Sequence, residues 1–274
     1  MKYLDLQGTK LPALGFGTWQ LEGETCERAV RAAIGIGYRH IDTAQIYENE
    51  AEVGRGIAES GVPRKELCIT TKLWTTNFTR ERVADSMEES LSRLRMDYVD
   101  LLLIHWPNPA VPLAETLAAM QKLQRQGKTK AIGVSNFPVR QMREAVEQCT
   151  VPVACNQVEY HALLPQRAVL GYARAHGMVV TAYSPLARGR LANHPVLADI
   201  GRQYGKTSGQ VALRWLIQQP GVAAIPKAAS ERNARANFAI FDFELSKADH
   251  DAIAGLSDHT RVVNPGFSPE WDAA

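Results

Sequence analysis

Eight short apolar runs, separated by segments with a helical hydrophobic pattern, restrict the fold of this 274-residue chain more than any other feature. The runs are rich in Val, Ile and Leu without strict alternation, which is typical of strands covered on both faces. They predict strands at residues 15–18, 40–43, 67–72, 99–105, 131–135, 154–159, 179–183 and 222–226. Strands that alternate with helices form a parallel sheet, and eight is the number that closes a barrel. The pattern therefore favours a (β/α)8 barrel, with an open doubly wound sheet as the alternative.

Local signals outside these runs agree with one α/β domain. Residues 3–14 alternate weakly around a turn-forming stretch, which predicts a small hairpin before the first strand. Thr207 and Gln210 have the spacing of a capping box at the start of a helix that Pro220-Gly221 would end. No Pro/Gly/Ser-rich linker or charge block divides the chain, so we interpret residues 1–274 as a single domain.

Composition argues against several classes of partner. The 31 Lys+Arg and 29 Asp+Glu residues leave a formal net charge of +2, which gives no reason to expect nucleic acid or an anionic membrane. The chain start lacks the pattern of a signal peptide, and no apolar run approaches the ~18 residues of a spanning helix. Four cysteines show no CxxC spacing, and the seven histidines form no HxH or HxxxH pair. We expect a cytoplasmic monomer with reduced thiols and no metal.

Polar residues follow the apolar runs where a barrel would place its active site, at the C-terminal ends of the strands. The residues at these positions are Asp42, Tyr47, Lys72, His105, Ser135, Asn136, Gln157, Glu159, Tyr183, Ser184 and Lys227. Each one alone has an ordinary explanation, such as a helix cap, a solvated charge or a core histidine. Packing does not explain the whole set at one end, so the pattern predicts a site at one mouth of the barrel.

Four of these residues have the chemistry to deliver a proton to a carbonyl oxygen: Asp42, Tyr47, Lys72 and His105. A phenol with a pKa near ~10 is a poor acid at neutral pH, and a nearby ammonium group favours its ionised form. A carboxylate would hold that ammonium group charged and in place.

Six longer motifs contain these residues and resemble those of the aldo-keto reductase family. They are GYRHIDTAQIYENEAEVG, ITTKLW, VDLLLIHWP, IGVSNF, NQVEYH and YSPL, and the resemblance extends from the hairpin to about residue 243. It implies a (β/α)8 barrel whose N-terminal end is plugged by the hairpin. It also implies carbonyl reduction with NAD(P)H without a Rossmann domain, and the chain indeed lacks a GxGxxG loop.

The resemblance also implies a role for each matching residue. Tyr47 would be the general acid, acidified by Lys72, which Asp42 would hold, and His105 would orient the carbonyl. The predicted cofactor residues near the nicotinamide are Ser135, Asn136 and Gln157 for its carboxamide and Tyr183 for stacking, with the backbone from Ser184 to Leu186 along the pyrophosphate.

The adenosine end departs from the family pattern. Lys227 and Asn237 match it, whereas Asn233 stands where the family has an arginine. Arg232 and Arg235 flank that gap, and guanidinium groups suit the oxygens of a 2′-phosphate. We therefore predict NADPH as the cofactor, with a weakened preference over NADH.

The predicted substrate pocket is aromatic, with Trp19, Trp74 and Trp106 near the strand ends. The short loop after His105 and the compact tail resemble the bacterial 2,5-diketo-D-gluconate and methylglyoxal reductases. An open mouth of this kind would suit small polar carbonyl compounds. A keto-acid substrate would also need a cation, for which the sequence offers Arg188 or Arg261.

Two alternatives start from the same residues. Some barrels of this family are channel-associated subunits, so a non-catalytic NADP(H)-binding partner is one alternative, although the four intact residues argue against it. The other is an isomerase or aldolase that uses Lys72 as a Schiff base, which would need an uncharged lysine, whereas Asp42 should keep Lys72 charged.

Overall fold

The computed structural model describes residues 1–256 and 258–272 of the chain. Its strands are β1 Tyr3–Leu6, β2 Thr9–Pro12, β3 Phe16–Gly17, β4 His40–Asp42, β5 Cys68–Leu73, β6 Val99–Ile104, β7 Thr129–Ser135, β8 Val153–Glu159, β9 Val179–Tyr183 and β10 Val222–Ala224. Its α-helices are α1 Gly23–Ile36, α2 Glu50–Glu59, α3 Arg80–Leu94, α4 Leu113–Arg125, α5 Val139–Gln148, α6 Arg167–Ala175, α7 Pro195–Tyr204, α8 Ser208–Gln218, α9 Glu231–Phe238 and α10 Lys247–Ala254.

Strands β3 to β10 form one parallel sheet in chain order, and this sheet closes on itself. Leu14 forms a parallel bridge with Ala224, and the Gly17 amide donates to the Pro226 carbonyl at 3.1 Å. A Cβ atom at Gly17 would lie 2.8 Å from the Ile225 carbonyl oxygen, so the closing strands approach too closely for any other residue. The predicted barrel is confirmed, and the open doubly wound sheet is excluded.

The hairpin of β1 and β2 covers the N-terminal end of the barrel. Leu6 and Leu11 are fully buried and join an inner apolar cluster that includes Leu101, Ala131 and Val179. The predicted plug is therefore confirmed. A larger cluster fills the space between the strands and the surrounding helices.

Helix α8 begins as its sequence predicted. The Gln210 amide donates to Thr207 Oγ1 at 3.3 Å, and the Thr207 amide donates to Gln210 Oε1 at 2.9 Å, which completes the capping box. Over the described part of the chain, no helix is long and apolar enough to cross a membrane.

Candidate active site

The four residues predicted for proton transfer lie at neighbouring strand ends. Asp42 is the last residue of β4, Lys72 lies one residue before the end of β5, and His105 directly follows β6. Tyr47 ends a 3-10 turn that follows β4. The buried Asn49 side chain fixes this turn, because its amide donates at 2.9 Å to the Thr18 and Leu21 carbonyls.

Lys72 is the centre of the group. Its fully buried ammonium group donates to Asp42 Oδ1 at 2.5 Å, to the Thr43 carbonyl at 2.8 Å and to the Tyr47 hydroxyl at 3.3 Å. These bonds use all three of its donors. Burial by itself lowers the pKa of Lys72, but the Asp42 carboxylate and the Tyr47 phenol more than offset it, so the pKa is raised. Lys72 is therefore charged, as the sequence predicted, which argues against a Schiff-base role.

The electrostatics of Tyr47 differ from the expectation. Burial raises the pKa of the Tyr47 phenol, and the Lys72 ammonium group lowers it by less. The lysine acts in the predicted direction, but the Asp42 carboxylate beside it also raises the pKa of Tyr47. The net direction is upward, so Tyr47 holds its proton at neutral pH. The ammonium group is then placed to stabilise the phenolate that proton donation leaves behind.

His105 is an uncharged imidazole packed among aromatic rings. Its ring makes edge contacts with Tyr47, at a centroid distance of 5.6 Å, and with Trp74, at 5.4 Å. Burial, together with the charge of Lys72, lowers the pKa of His105 well below its usual range. A neutral imidazole beside Tyr47 suits a donor that orients a carbonyl oxygen.

The predicted carboxamide residues form a second polar group that is joined to the first. Asn136 donates to the His105 carbonyl at 2.9 Å and accepts from the Tyr183 hydroxyl at 2.8 Å. Gln157 Nε2 donates to Asp42 Oδ2 at 2.7 Å, which leaves both Asp42 oxygens bonded. Ser135 Oγ donates to the Gln157 carbonyl at 2.7 Å. A ligand held by this second group would thus sit beside the Asp42–Lys72 pair.

The loop after β9 has a backbone conformation suited to anions. Ser184, Ala187 and Arg188 have φ angles of 46°, 48° and 52°, in the left-handed region that side chains disfavour. Leu186 lies between them with φ −105° and ψ 17°. Pro185 has no amide N–H and the Ala187 amide donates to the Ser184 carbonyl at 2.8 Å, so the Leu186 and Arg188 amides are the ones in this turn that an anion could use. The predicted pyrophosphate path thus fits this loop.

The predicted adenosine end contains two cations that form no ion pair with the described residues, Lys227 and Arg232. Lys227 follows β10 and is exposed, and Arg232 is exposed in the first turn of α9. Neither forms an ion pair with residues 1–256 or 258–272, whereas Arg235 is paired with Glu231 at 2.6 Å. Asn237 lies half-buried near the end of the same helix. The N–H groups of Lys227 and Arg232 could therefore donate to a phosphate group.

The three predicted pocket tryptophans have different surroundings. Trp74 is half-buried beside His105, and Trp19 is exposed with the Arg188 guanidinium 4.6 Å from its ring centroid. Trp106 is buried under Phe267, at a centroid distance of 5.4 Å, and beside Trp271. Trp106 therefore packs beneath Phe267 and is itself buried.

The C-terminal tail, residues 258–272, adds an aromatic wall where the sequence predicted an open mouth. Phe267 also contacts Trp74, at a centroid distance of 5.9 Å. Sequence reasoning missed Phe267 and Trp271 because the tail has no periodic pattern to place it. The sequence offers one signal for this wall: two large aromatic residues stand in a segment without secondary structure after the last helix.

Two carboxylates attach this tail to the C-terminal mouth of the barrel. Glu159 accepts from the Val262 and Val263 amides at 2.7 and 2.8 Å. Asp272 accepts from the Val139 amide at 2.9 Å, at the start of α5, where the preceding proline has no side-chain cap to offer. Glu159 is thus the strand-end residue whose role the sequence left open.

Comparison with known proteins assigns the family. A model of the aldo/keto reductase family matches residues 13–258. Methylglyoxal reductase DkgB of Salmonella typhimurium is 42% identical over 266 residues, which are 96% of this chain and 99% of that protein. A crystal structure of a candidate 2,5-diketo-D-gluconic acid reductase B has a TM-score of 0.98 at 46% identity and covers 100% of this chain and 98% of its own. A Bombyx mori aldo-keto reductase in complex with NADP has a TM-score of 0.89 at 34% identity, with 96% and 95% covered.

These relatives cover the whole barrel, including the strand ends at which the Lys72 network lies. They give no support to the non-catalytic alternative. The chain is a member of the aldo/keto reductase family and an oxidoreductase.

Proposed function

We propose that the protein reduces small aldehydes and α-dicarbonyl compounds such as methylglyoxal, and 2,5-diketo-D-gluconate, to alcohols with NADPH. The observation that carries the proposal is the buried Lys72 ammonium group bonded to both Asp42 and Tyr47. The methylglyoxal and diketogluconate reductases among the relatives support this substrate class.

The cofactor would be held by the second polar group, by stacking on Tyr183, by the loop from Ser184 to Leu186 and by Lys227, with Arg232 and Asn237. When bound, NADPH supplies the hydride that reduces the carbonyl carbon. The free Oε1 of Gln157, which accepts no hydrogen bond from the described residues, fits the amide group of a nicotinamide. An NADP complex of a relative supports this choice of cofactor.

The protein's own residues handle the proton. His105 orients the carbonyl oxygen, and Tyr47 donates its hydroxyl proton to that oxygen as negative charge develops there. Lys72 stabilises the resulting phenolate, and Asp42 keeps Lys72 charged and in position. Because Tyr47 is partly exposed, it can regain a proton from solvent.

The cofactor preference tests the adenosine end. We expect wild-type protein to bind NADPH more tightly than NADH, and Lys227→Ala to lose roughly 10- to 100-fold in NADPH affinity. The reason is that a charge-assisted hydrogen bond contributes about 1.5–3 kcal/mol. NADH, which has no 2′-phosphate, should bind nearly unchanged. Titration of both dinucleotides by protein fluorescence measures the four dissociation constants.

Lys247→Ala is the matched control, because it removes an exposed lysine of α10 that is paired with Asp251 and lies outside the predicted cofactor residues. It should change neither affinity by more than about twofold, as expected for an exposed ion pair. Equal affinities for NADPH and NADH in the wild type, or an unchanged NADPH affinity in Lys227→Ala, would contradict the assignment.

Substrate size tests the proposed class. We expect kcat/KM for methylglyoxal to exceed that for a steroid ketone by nearly two decades. With Phe267 close to Trp74 and a short loop after β6, the mouth has little room to bury a large apolar body. Leaving ~100 Å² of such a substrate in water forgoes roughly 2.5 kcal/mol. The panel is methylglyoxal, 2,5-diketogluconate, 4-nitrobenzaldehyde and a steroid ketone under one condition, and a steroid used more efficiently than methylglyoxal would reject the class.

We further propose that the enzyme works as a monomer in the cytoplasm. The cysteines support a reducing compartment, because all four are free thiols. The nearly balanced charge of the chain supports the absence of a nucleic-acid partner.

A further inference from the structure

Arg261 is a half-buried cation whose donors are unused. Its guanidinium group forms no hydrogen bond or ion pair within the described ranges, and its Nη1 atom is buried without a partner. The guanidinium carbon lies 3.8 Å from the ring centroid of Trp271. A guanidinium group withdrawn from water without a partner is unfavourable, and its planar array of N–H groups matches a carboxylate.

Arg261 lies at the C-terminal mouth of the barrel, because the two residues that follow it are bonded to Glu159, and Glu159 pairs with Tyr183 where β8 and β9 end. Its charge lowers the pKa of Tyr183, although burial outweighs this effect and raises that pKa. Tyr47 acts on the pKa of the same phenol. The Arg261 guanidinium group lies against the ring of Trp271. Trp271 in turn packs against Trp106, the residue that follows His105. Arg261 therefore lies near Tyr183, at the same mouth of the barrel as Tyr47.

The nearby carboxylate is not a partner for Arg261. Glu159 is fully buried, and its oxygens are taken by the Val262 and Val263 amides and by His161 Nε2 at 2.9 Å. These bonds hold the two residues that follow Arg261, so the guanidinium group is positioned by a fixed backbone. Glu159 thus orients the cation without neutralising it by contact.

The structure distinguishes the two cations that the sequence offered for an acidic substrate. Arg188 is exposed and lies over Trp19, in the loop assigned to the pyrophosphate. Arg261 lies in the tail that covers the mouth. The small cavity that Arg261 lines measures about 20 Å³, room for about one water, so a sugar-sized anion does not fit inside it.

We propose that Arg261 binds the carboxylate of acidic substrates, sugar-sized keto acids, while their carbonyl group lies at Tyr47 and His105. This inference rests on the proposed function. It makes Arg261 the residue that separates acidic from neutral substrates of the same reductase.

The test compares 2,5-diketogluconate with methylglyoxal, one acidic and one neutral, at saturating NADPH. In Arg261→Met, which keeps an apolar stem against Trp271, the ratio of kcat/KM for diketogluconate to that for methylglyoxal should fall roughly 10- to 100-fold, mainly through KM. Arg261→Lys should recover part of the ratio, because it restores the charge without the fork. Arg167→Met is the control, since Arg167 lines the same small cavity but is exposed on α6. It should leave the ratio unchanged.

An unchanged ratio in Arg261→Met would overturn the proposal. An equal loss on both substrates, without recovery in Arg261→Lys, would also overturn it, because it would mean that Arg261 only supports Trp271. Failure of the proposed function is seen separately, as a wild-type enzyme that does not reduce methylglyoxal. In that case tryptophan fluorescence, with NADP⁺ present, would decide whether D-gluconate binds more tightly than D-glucose and whether Arg261→Met abolishes the difference.

Discussion

Tyr47→Phe is expected to lower kcat for methylglyoxal reduction by roughly 10²- to 10⁴-fold, the usual contribution of a general acid. The substitution removes one hydroxyl, whose pKa is raised by burial and which is therefore protonated at neutral pH. The Lys72–Asp42 pair keeps its own bond and the Thr43 carbonyl bond, so the cofactor side should not change. NADPH affinity should stay within about twofold of the wild type.

Steady-state kinetics with a cofactor titration measures both effects. Tyr204→Phe is a matched control, because it removes a hydroxyl that bonds Asp249 between α7 and α10. That variant should lose some stability and retain its turnover. A kcat near that of the wild type in Tyr47→Phe would show that another group donates the proton.

Lys72→Met is expected to reduce both activity and stability. Asp42 is buried, and Lys72 is its charged partner at 2.5 Å. Removing one member of a buried pair leaves the other charge uncompensated, which costs about 3–5 kcal/mol of the free energy of unfolding. Turnover should fall at least as far as in Tyr47→Phe, because the phenolate would form beside an unpaired carboxylate.

The double variant Asp42→Asn/Lys72→Met separates the two effects. It removes both charges, so most of the lost stability should return, whereas turnover should stay low. Urea unfolding and kcat, measured on the same preparations, provide both values. If Lys72→Met were as stable as the wild type, the buried pair would not contribute to stability as expected. If the double variant regained its turnover, the role of Lys72 in catalysis would be contradicted.

The barrel, and the mouth at which the candidate site lies, could be predicted from local sequence patterns. Apolar runs and helical periodicity are local properties, so the order of strands and helices can be derived without knowledge of distant contacts. Parallel strands carry their C-terminal ends to one mouth, and this places Asp42, Lys72 and His105 together as soon as the barrel is accepted. The capping box of Thr207 and Gln210 was predictable for the same reason, since both partners lie within one helical turn.

Features that depend on contacts between distant segments could not be predicted in this way. Closure pairs Leu14 with Ala224, and no local pattern specifies that pairing. The net pKa shift of Tyr47 is a balance between burial and two opposite charges, which cannot be judged before all three are placed. The tail carries no periodic pattern, so the sequence does not place Phe267 or Arg261. Two carboxylates that bind backbone amides hold the tail in position, with the Arg261 guanidinium unpaired among the described residues. A pattern along the chain indicates which element a residue belongs to, whereas its charge and contacts depend on what else packs beside it.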